Sequence, residues 1–181
     1  MEYIAARGYD VWLLDLRGYG KSTRPAEMAD KPDANAPIVT GQTAVKDIGT
    51  AVDFILQRRN IPRLNLLGWS WGTTLMATYT TQNAAKVERL VLYAPVWHEP
   101  SLKAPPYSGA YRTSTREQTR GFNAAGIPKD RVAEISPSDW YDKWWNANLA
   151  TDPEGASRTP PVLRAPNGVF RDLNDYWVKG K

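Results

Sequence analysis

The chain has 181 residues, 42% of them hydrophobic, enough for one domain with a true core, and it holds no apolar run long enough to span a bilayer. Its net charge of +4 is spread thinly, with 11 basic against 10 acidic residues in 1–100 and 12 against 9 in 101–181, so nothing marks a nucleic-acid partner. There is no cysteine, which excludes disulfides and thiolate metal sites, and the opening MEYIAARGYD lacks the apolar core of a secretory signal, leaving a cytoplasmic location as the default expectation.

Residues 2–7 read as the end of a helix, with Gly8 as its C-cap. Tyr9 to Leu16 is a nearly continuous apolar run, which predicts a strand buried on both faces. The loop that follows, Arg17-Gly-Tyr-Gly-Lys-Ser-Thr23, ends like a phosphate-binding P-loop but fails its spacing. Five residues before Gly20 stands Asp15, a carboxylate that would repel the anion, where the pattern needs glycine. No helix follows to aim its N-terminus at a phosphate, because Pro25, Pro32 and Pro37 punctuate the next stretch. The dinucleotide fingerprint fails as well, since its third glycine is missing, and no nucleotide is expected.

Thr43 to Asn60 is predicted helical, with Val45, Ile48, Val52, Ile55 and Leu56 forming one apolar stripe. Residues 63–68 read as a short strand, 71–83 as a helix, and 87–95 as another strand. This alternation implies an α/β fold: a parallel sheet of about three strands, near 9–16, 63–68 and 88–95, with flanking helices. Past Pro95 the texture changes, for ten of the 14 prolines lie between 95 and 166. The best helix there is 138–149, with Tyr141, Trp145 and Leu149 on one face and Trp140 and Trp144 beside it. The expected division is a sheet-and-helix core over 1–97 and an irregular helical insertion over 98–181.

The strand at 63–68 runs directly into Gly68-Trp-Ser-Trp-Gly72, a G-x-S-x-G sequence followed by a helix. A serine on such a sharp strand-to-helix turn is held in a strained backbone conformation that projects its hydroxyl away from the sheet. Small residues two before and two after allow the helix to pack back on the strands. The helix N-terminus aims amide hydrogens at the place where a tetrahedral oxyanion would form. Ser70 is thus the candidate nucleophile and the Trp71 backbone N–H the candidate oxyanion donor. Trp69 and Trp71 are held near the serine by sequence position, and are candidates to contact substrate; Trp140, Trp144, Trp145 and Trp177 read more simply as packing residues.

Asp15-Leu-Arg17-Gly18-Tyr-Gly20-Lys-Ser22 together with the turn at 68–72 resembles the α/β-hydrolase fold superfamily, in its cap-bearing members that carry DxRGxGxS after the fourth strand. The likeness covers about residues 2–97. It implies that RGYGKST is a loop beside the active-site mouth, with Gly18 and Gly20 there for backbone conformation and Lys21 as a solvated charge. It also implies a triad in the order serine, acid, histidine. Between Ser70 and the single histidine, His98, the only acid is Glu88, which precedes its strand and belongs at the far end of the sheet. The strand's other end carries Ala94 and Pro95, and His98 reads better as a polar residue at the entrance of the insertion than as the general base.

The expectation is therefore a serine hydrolase acting on carboxylic esters or related small acyl compounds through a Ser70 acyl-enzyme, with no cofactor and no metal. The chain is expected to be an internal fragment whose acid and base lie outside it. Aminopeptidase or lyase use of the same turn, and a non-catalytic binding module of this fold, are the competing readings. A three-stranded sheet leaves two apolar edges unpaired, so the isolated 181-residue chain is predicted to be poorly soluble and without esterase activity. Size-exclusion chromatography and an ester-hydrolysis assay check this, and a monodisperse, active chain would refute it.

Overall fold

In the computed structural model, residues 1–97 and 108–180 are described, the side chains of Trp177 and Val178 excepted. His98 lies outside the described residues. A short helix α1 (Glu2–Ala5) is capped by Ala6 rather than Gly8, which follows in the turn at φ 87°. The long helix α2 spans Gly41–Arg59, two residues earlier at its start than periodicity suggests. Ala44, Ile48 and Val52 are its buried stripe, flanked by half-buried Val45, Ile55 and Leu56. Arg58 and Arg59 sit in its last turn, where cations oppose the helix dipole, and Asn60 closes it in the left-handed conformation at φ 50°.

Strand β1 (Leu64–Trp69), helix α3 (Trp71–Gln82) and strand β2 (Val87–Tyr93) follow, and β1 pairs with β2 in parallel, Leu66 opposite Leu90 and Trp69 opposite Tyr93. Helix α3 crosses over between them, as a parallel pair requires. One face of this sheet packs on the helices: Leu66 joins Ala44, Ile48, Val52, Leu75 and Tyr79 in the main core. Burial of each leucine, isoleucine or valine among them stabilises the fold by about 1.5–3 kcal/mol. The other face is open, with Leu67, Trp69, Val91 and Tyr93 exposed.

The fold class is the expected mixed α/β, but the parallel sheet has two strands among the described residues. Residues 9–16 carry no ladder. They run beside α2 instead: Trp12 meets Phe54 edge-on at 6.0 Å, Asp10 accepts from Arg59, and Arg17 pairs with Asp47 through Nε at 2.9 Å. Nor is the run buried on both faces, since Leu13 is 75% exposed and Tyr9 and Leu14 are also open to solvent. Its apolar composition was the whole signal for a strand, and composition alone names no hydrogen-bonding partner.

The later segment is more regular than its proline content suggests. Strands β3 (Tyr111–Thr115) and β4 (Val162–Pro166) form an antiparallel pair, Tyr111 opposite Pro166. Helix α4 (Arg116–Asn123) follows β3 and starts with a capping box between Thr115 and Gln118. Short α5 (Val132–Ile135), α6 (Ser138–Leu149) and short α7 (Pro153–Ala156) intervene before β4, and α8 (Gly168–Leu173) comes after it. Helix α6 buries Tyr141 and Trp145 and leaves Trp140 exposed.

This segment closes over residues 18–41. Met28, Ala110 and Tyr111 form a second buried cluster with Ile38 against it. Ala110 N–H donates to Pro32 O at 2.7 Å, Tyr111 Oη to Asp30 O at 2.8 Å, and Gly168 N–H to Ile38 O at 2.8 Å. Gly18 lies at φ 82°, and a Cβ there would stand 2.5 Å from Pro166 Cγ, so backbone freedom and close approach both require glycine. Arg164, 7% exposed, grips both Asp152 oxygens and donates to Met28 O at 3.0 Å. Burial pushes the Asp152 carboxyl up, but the Arg164 hydrogen bonds and charge outweigh it and leave the carboxyl below its ordinary range.

Arg164→Ala is predicted to destabilise the protein by about 3–5 kcal/mol, because it strands a buried carboxylate. Asp152 is held more acidic folded than unfolded. Its contribution is therefore complete above the ordinary value of 3.8 and lost as pH falls through the folded-state value. Denaturant titrations of wild type and Asp152→Asn should show a stability gap that narrows with acidification.

Candidate active site

Ser70 is exposed and lies at the junction of β1 and α3 with φ 53° and ψ −122°. A non-glycine residue rarely holds such a conformation, which costs on the order of 1–3 kcal/mol. Local contacts impose it. Ser70 N–H donates to Tyr93 O at 3.1 Å, tying the bend to the end of β2. Ser70 O accepts from Thr73 N–H at 2.9 Å and from Thr73 Oγ1 at 2.6 Å. Thr73 Oγ1 in turn accepts from Val96 N–H at 3.3 Å, so one buried hydroxyl joins the bend to the segment after β2.

Gly68 is the glycine that makes the bend possible. A Cβ there would fall on the Gly72 carbonyl, 2.6 Å from its carbon and 2.8 Å from Thr73 N. The expectation that both flanking positions must be small holds at only one of them, since a Cβ on Gly72 meets no described atom within 4 Å.

Trp71 opens α3 and packs half-buried against the main core. Among the described residues its backbone N–H has no backbone acceptor, as an oxyanion donor requires. Its indole Nε1–H donates to Asp172 Oδ2 at 3.2 Å, and the same oxygen accepts from Gly41 N–H at 2.6 Å. Burial pushes the Asp172 carboxyl above the ordinary aspartate range, ahead of the opposing hydrogen bonds from Gly41 and Trp71. A cleft of about 200 Å³ runs past this carboxylate, lined also by Gly41, Val45, Thr74, Thr78 and Tyr176. Ser70 does not line it.

Trp69 ends β1 with 67% of its surface exposed, beside Tyr93 on the open face of the sheet. Among the described residues no ring contact joins Trp69 or Trp71 to the tryptophans of α6, so these aromatics are not gathered into one wall over the serine. Glu88 stands at the start of β2, at the opposite end of the ladder from Ser70, and pairs with Arg63. The described residues contain no imidazole, and no described side chain hydrogen-bonds the Ser70 hydroxyl. Thr73 and Asp172 were not singled out in the sequence. Thr73 could have been, as a hydroxyl three residues into a helix beside an N-terminal bend; Asp172 carries no local signal.

The loop 17–23 is filled by its own chain. Asp15 Oδ2 accepts from Lys21 N–H at 2.9 Å, Ser22 Oγ donates to Asp15 O at 2.6 Å, and a Cβ on Gly20 would land in the Asp15 carboxylate. Lys21 and Arg24 border a cleft of about 320 Å³, but Arg24 is committed to the carbonyls of Tyr19, Gly20, Ser22 and Thr151.

Gly68→Ala is predicted to cost about 1–3 kcal/mol through overpacking. Gly72→Ala should leave stability unchanged or slightly raised, as alanine favours a helix. Paired denaturation curves distinguish the two positions.

A 2-hydroxy-6-oxononadienedioate/2-hydroxy-6-oxononatrienedioate hydrolase from Cupriavidus pinatubonensis is 29% identical over 105 residues, which are 58% of this chain and 32% of that protein. The chain thus spans about a third of that relative's length. An esterase from Exiguobacterium antarcticum superposes with a TM-score of 0.40 and 18% identity, over 76% of this chain and 48% of that one. The family described as the alpha/beta hydrolase fold matches residues 1–177, nearly the whole sequence, and the chain belongs to that family.

Proposed function

We propose that the protein is a serine hydrolase acting on carboxylic esters or related small acyl compounds. The observation that carries this reading is the exposed Ser70 hydroxyl on a strained bend at the N-terminus of α3. In this mechanism Ser70 Oγ attacks the acyl carbonyl carbon and its proton passes to a base. The carbonyl oxygen becomes an oxyanion facing the Trp71 N–H, and collapse expels the leaving group, which takes the proton back from the base, to form an acyl-enzyme. Water activated by the same base then releases the acid and regenerates the serine. The general base in this reading is a histidine; the chain's single one, His98, lies outside the described residues. Glu88 is not assigned as its orienting acid, because it stands at the opposite end of the ladder from Ser70.

Trp69, next to the serine and exposed, is the residue best placed to meet the substrate's apolar part. The oxo group in the name of the Cupriavidus relative's substrate is a ketone carbonyl, to which a serine hydroxyl could also add, although its hydrolysis has to expel carbon rather than the oxygen of an ester. Such oxo-acids belong in a substrate panel beside simple aryl esters. No nucleotide is assigned to the 17–23 loop, since the Asp15 carboxylate already occupies the Lys21 amide.

Labelling of the protein by a fluorophosphonate tests the nucleophile. Wild type should label at one site and Ser70→Ala should not. Labelling that survives the substitution refutes the role of Ser70, and a wild type that never labels favours a binding module of this fold.

A further inference from the structure

The carboxylate of Asp172 stands out because nothing in its local sequence calls for it, yet it sits where three elements meet. It belongs to α8, is more than nine-tenths buried, and directs one oxygen at two donors: the Gly41 amide that opens α2 and the indole N–H of Trp71 that opens α3. Helix α2 lacks a side-chain cap of its own, for Thr40 makes no capping bond, so Asp172 fills that role from 131 residues away. The same helix is seated by two further contacts at its start. Gly168 N–H donates to Ile38 O, and a Cβ at Gly168 would collide with the Val39 carbonyl. Val39 itself is held at φ 55°, a strained state for a β-branched residue, so the 38–41 turn is clamped rather than loosely apposed.

The geometry points to Asp172 as a positioning residue for the hydrolytic centre: by holding the indole of Trp71 it fixes the backbone amide of that residue against Ser70, and so makes the reactivity of Ser70 depend on the seating of α8. This inference rests on the Ser70 reading given above. The Trp71 side chain is held at both ends, by the core along its ring and by Asp172 at its indole nitrogen, and the backbone N–H belongs to the same residue. Rotation of the first turn of α3 would break that bond. A donor fixed before the reaction stabilises an oxyanion without reorganisation, whereas a loose one does not.

The test combines Trp71→Phe, which keeps a ring and removes the indole donor, with Asp172→Ala and the double variant, all in the whole protein. The rate of fluorophosphonate labelling of Ser70 and the NMR resonance of the Trp71 indole N–H are both read. Each single variant should slow labelling by about tenfold, the double variant should be no slower than either, and Asp172→Ala should shift the indole resonance. Asp172→Asn, which retains an acceptor oxygen, should recover part of the rate. A labelled wild type whose variants slow labelling independently, or not at all, overturns the positioning role while leaving Ser70 in place. An unchanged indole resonance in Asp172→Ala overturns it as well. A wild type that fails to label while its indole resonance responds removes the Ser70 reading, and with it the catalytic purpose of the anchor.

Discussion

Ser70 holds φ 53° and ψ −122° only because its surroundings leave the chain no easier path. Its amide is taken by Tyr93 O, its carbonyl is taken twice by Thr73, and the helix that follows lies flush on Gly68. Strain of about 1–3 kcal/mol is sustained by such over-determination, and it is released if any of these contacts is lost. The hydroxyl is consequently presented at the end of the ladder rather than along the helix. Everything proposed for the chemistry follows from that placement, including the Trp71 amide beside it, which has no backbone acceptor among the described residues.

The later segment stabilises this arrangement from outside. It covers residues 18–41 with a second core around Met28 and Tyr111, and it reaches the bend through Asp172. The RGYGKST loop lies beneath that cover. Its glycines meet Pro166 and Asp15, its Arg24 bonds backbone carbonyls, and its resemblance to a phosphate loop ends at the order of its letters. Buried charge is used economically in this region: Arg164 and Asp152 satisfy one another, and Arg164 also takes the Met28 carbonyl. Asp172 and Asp152 respond to burial in opposite senses because only Asp152 has a guanidinium in contact.

The parallel sheet has two strands among the described residues. β1 and β2 pair with each other and bury one face, while Trp69 and Tyr93 stand open on the other, 67% and 65% exposed. Exposed apolar area of this kind, beside strand edges that have no partner among the described residues, favours association with other apolar surfaces. It also leaves Trp69 accessible next to the serine. The same surface can therefore limit the solubility of the chain and contribute to its proposed substrate site.

Several features were legible in the amino-acid order because they depend on near neighbours. The stripe on α2, the span of α6, the strand–serine–helix junction and the remoteness of Glu88 all follow from periodicity and from glycine spacing. Hydrogen-bond partners distant in the chain were decided only by the tertiary structure. It left 9–16 without a ladder, paired 111–115 with 162–166 across a proline-rich stretch, and set Asp172 against Trp71. Local pattern reports which face of a segment is apolar, but a ladder or a buried carboxylate exists only when a partner arrives with the right atoms at bonding distance. That arrival is set by the path of the whole chain.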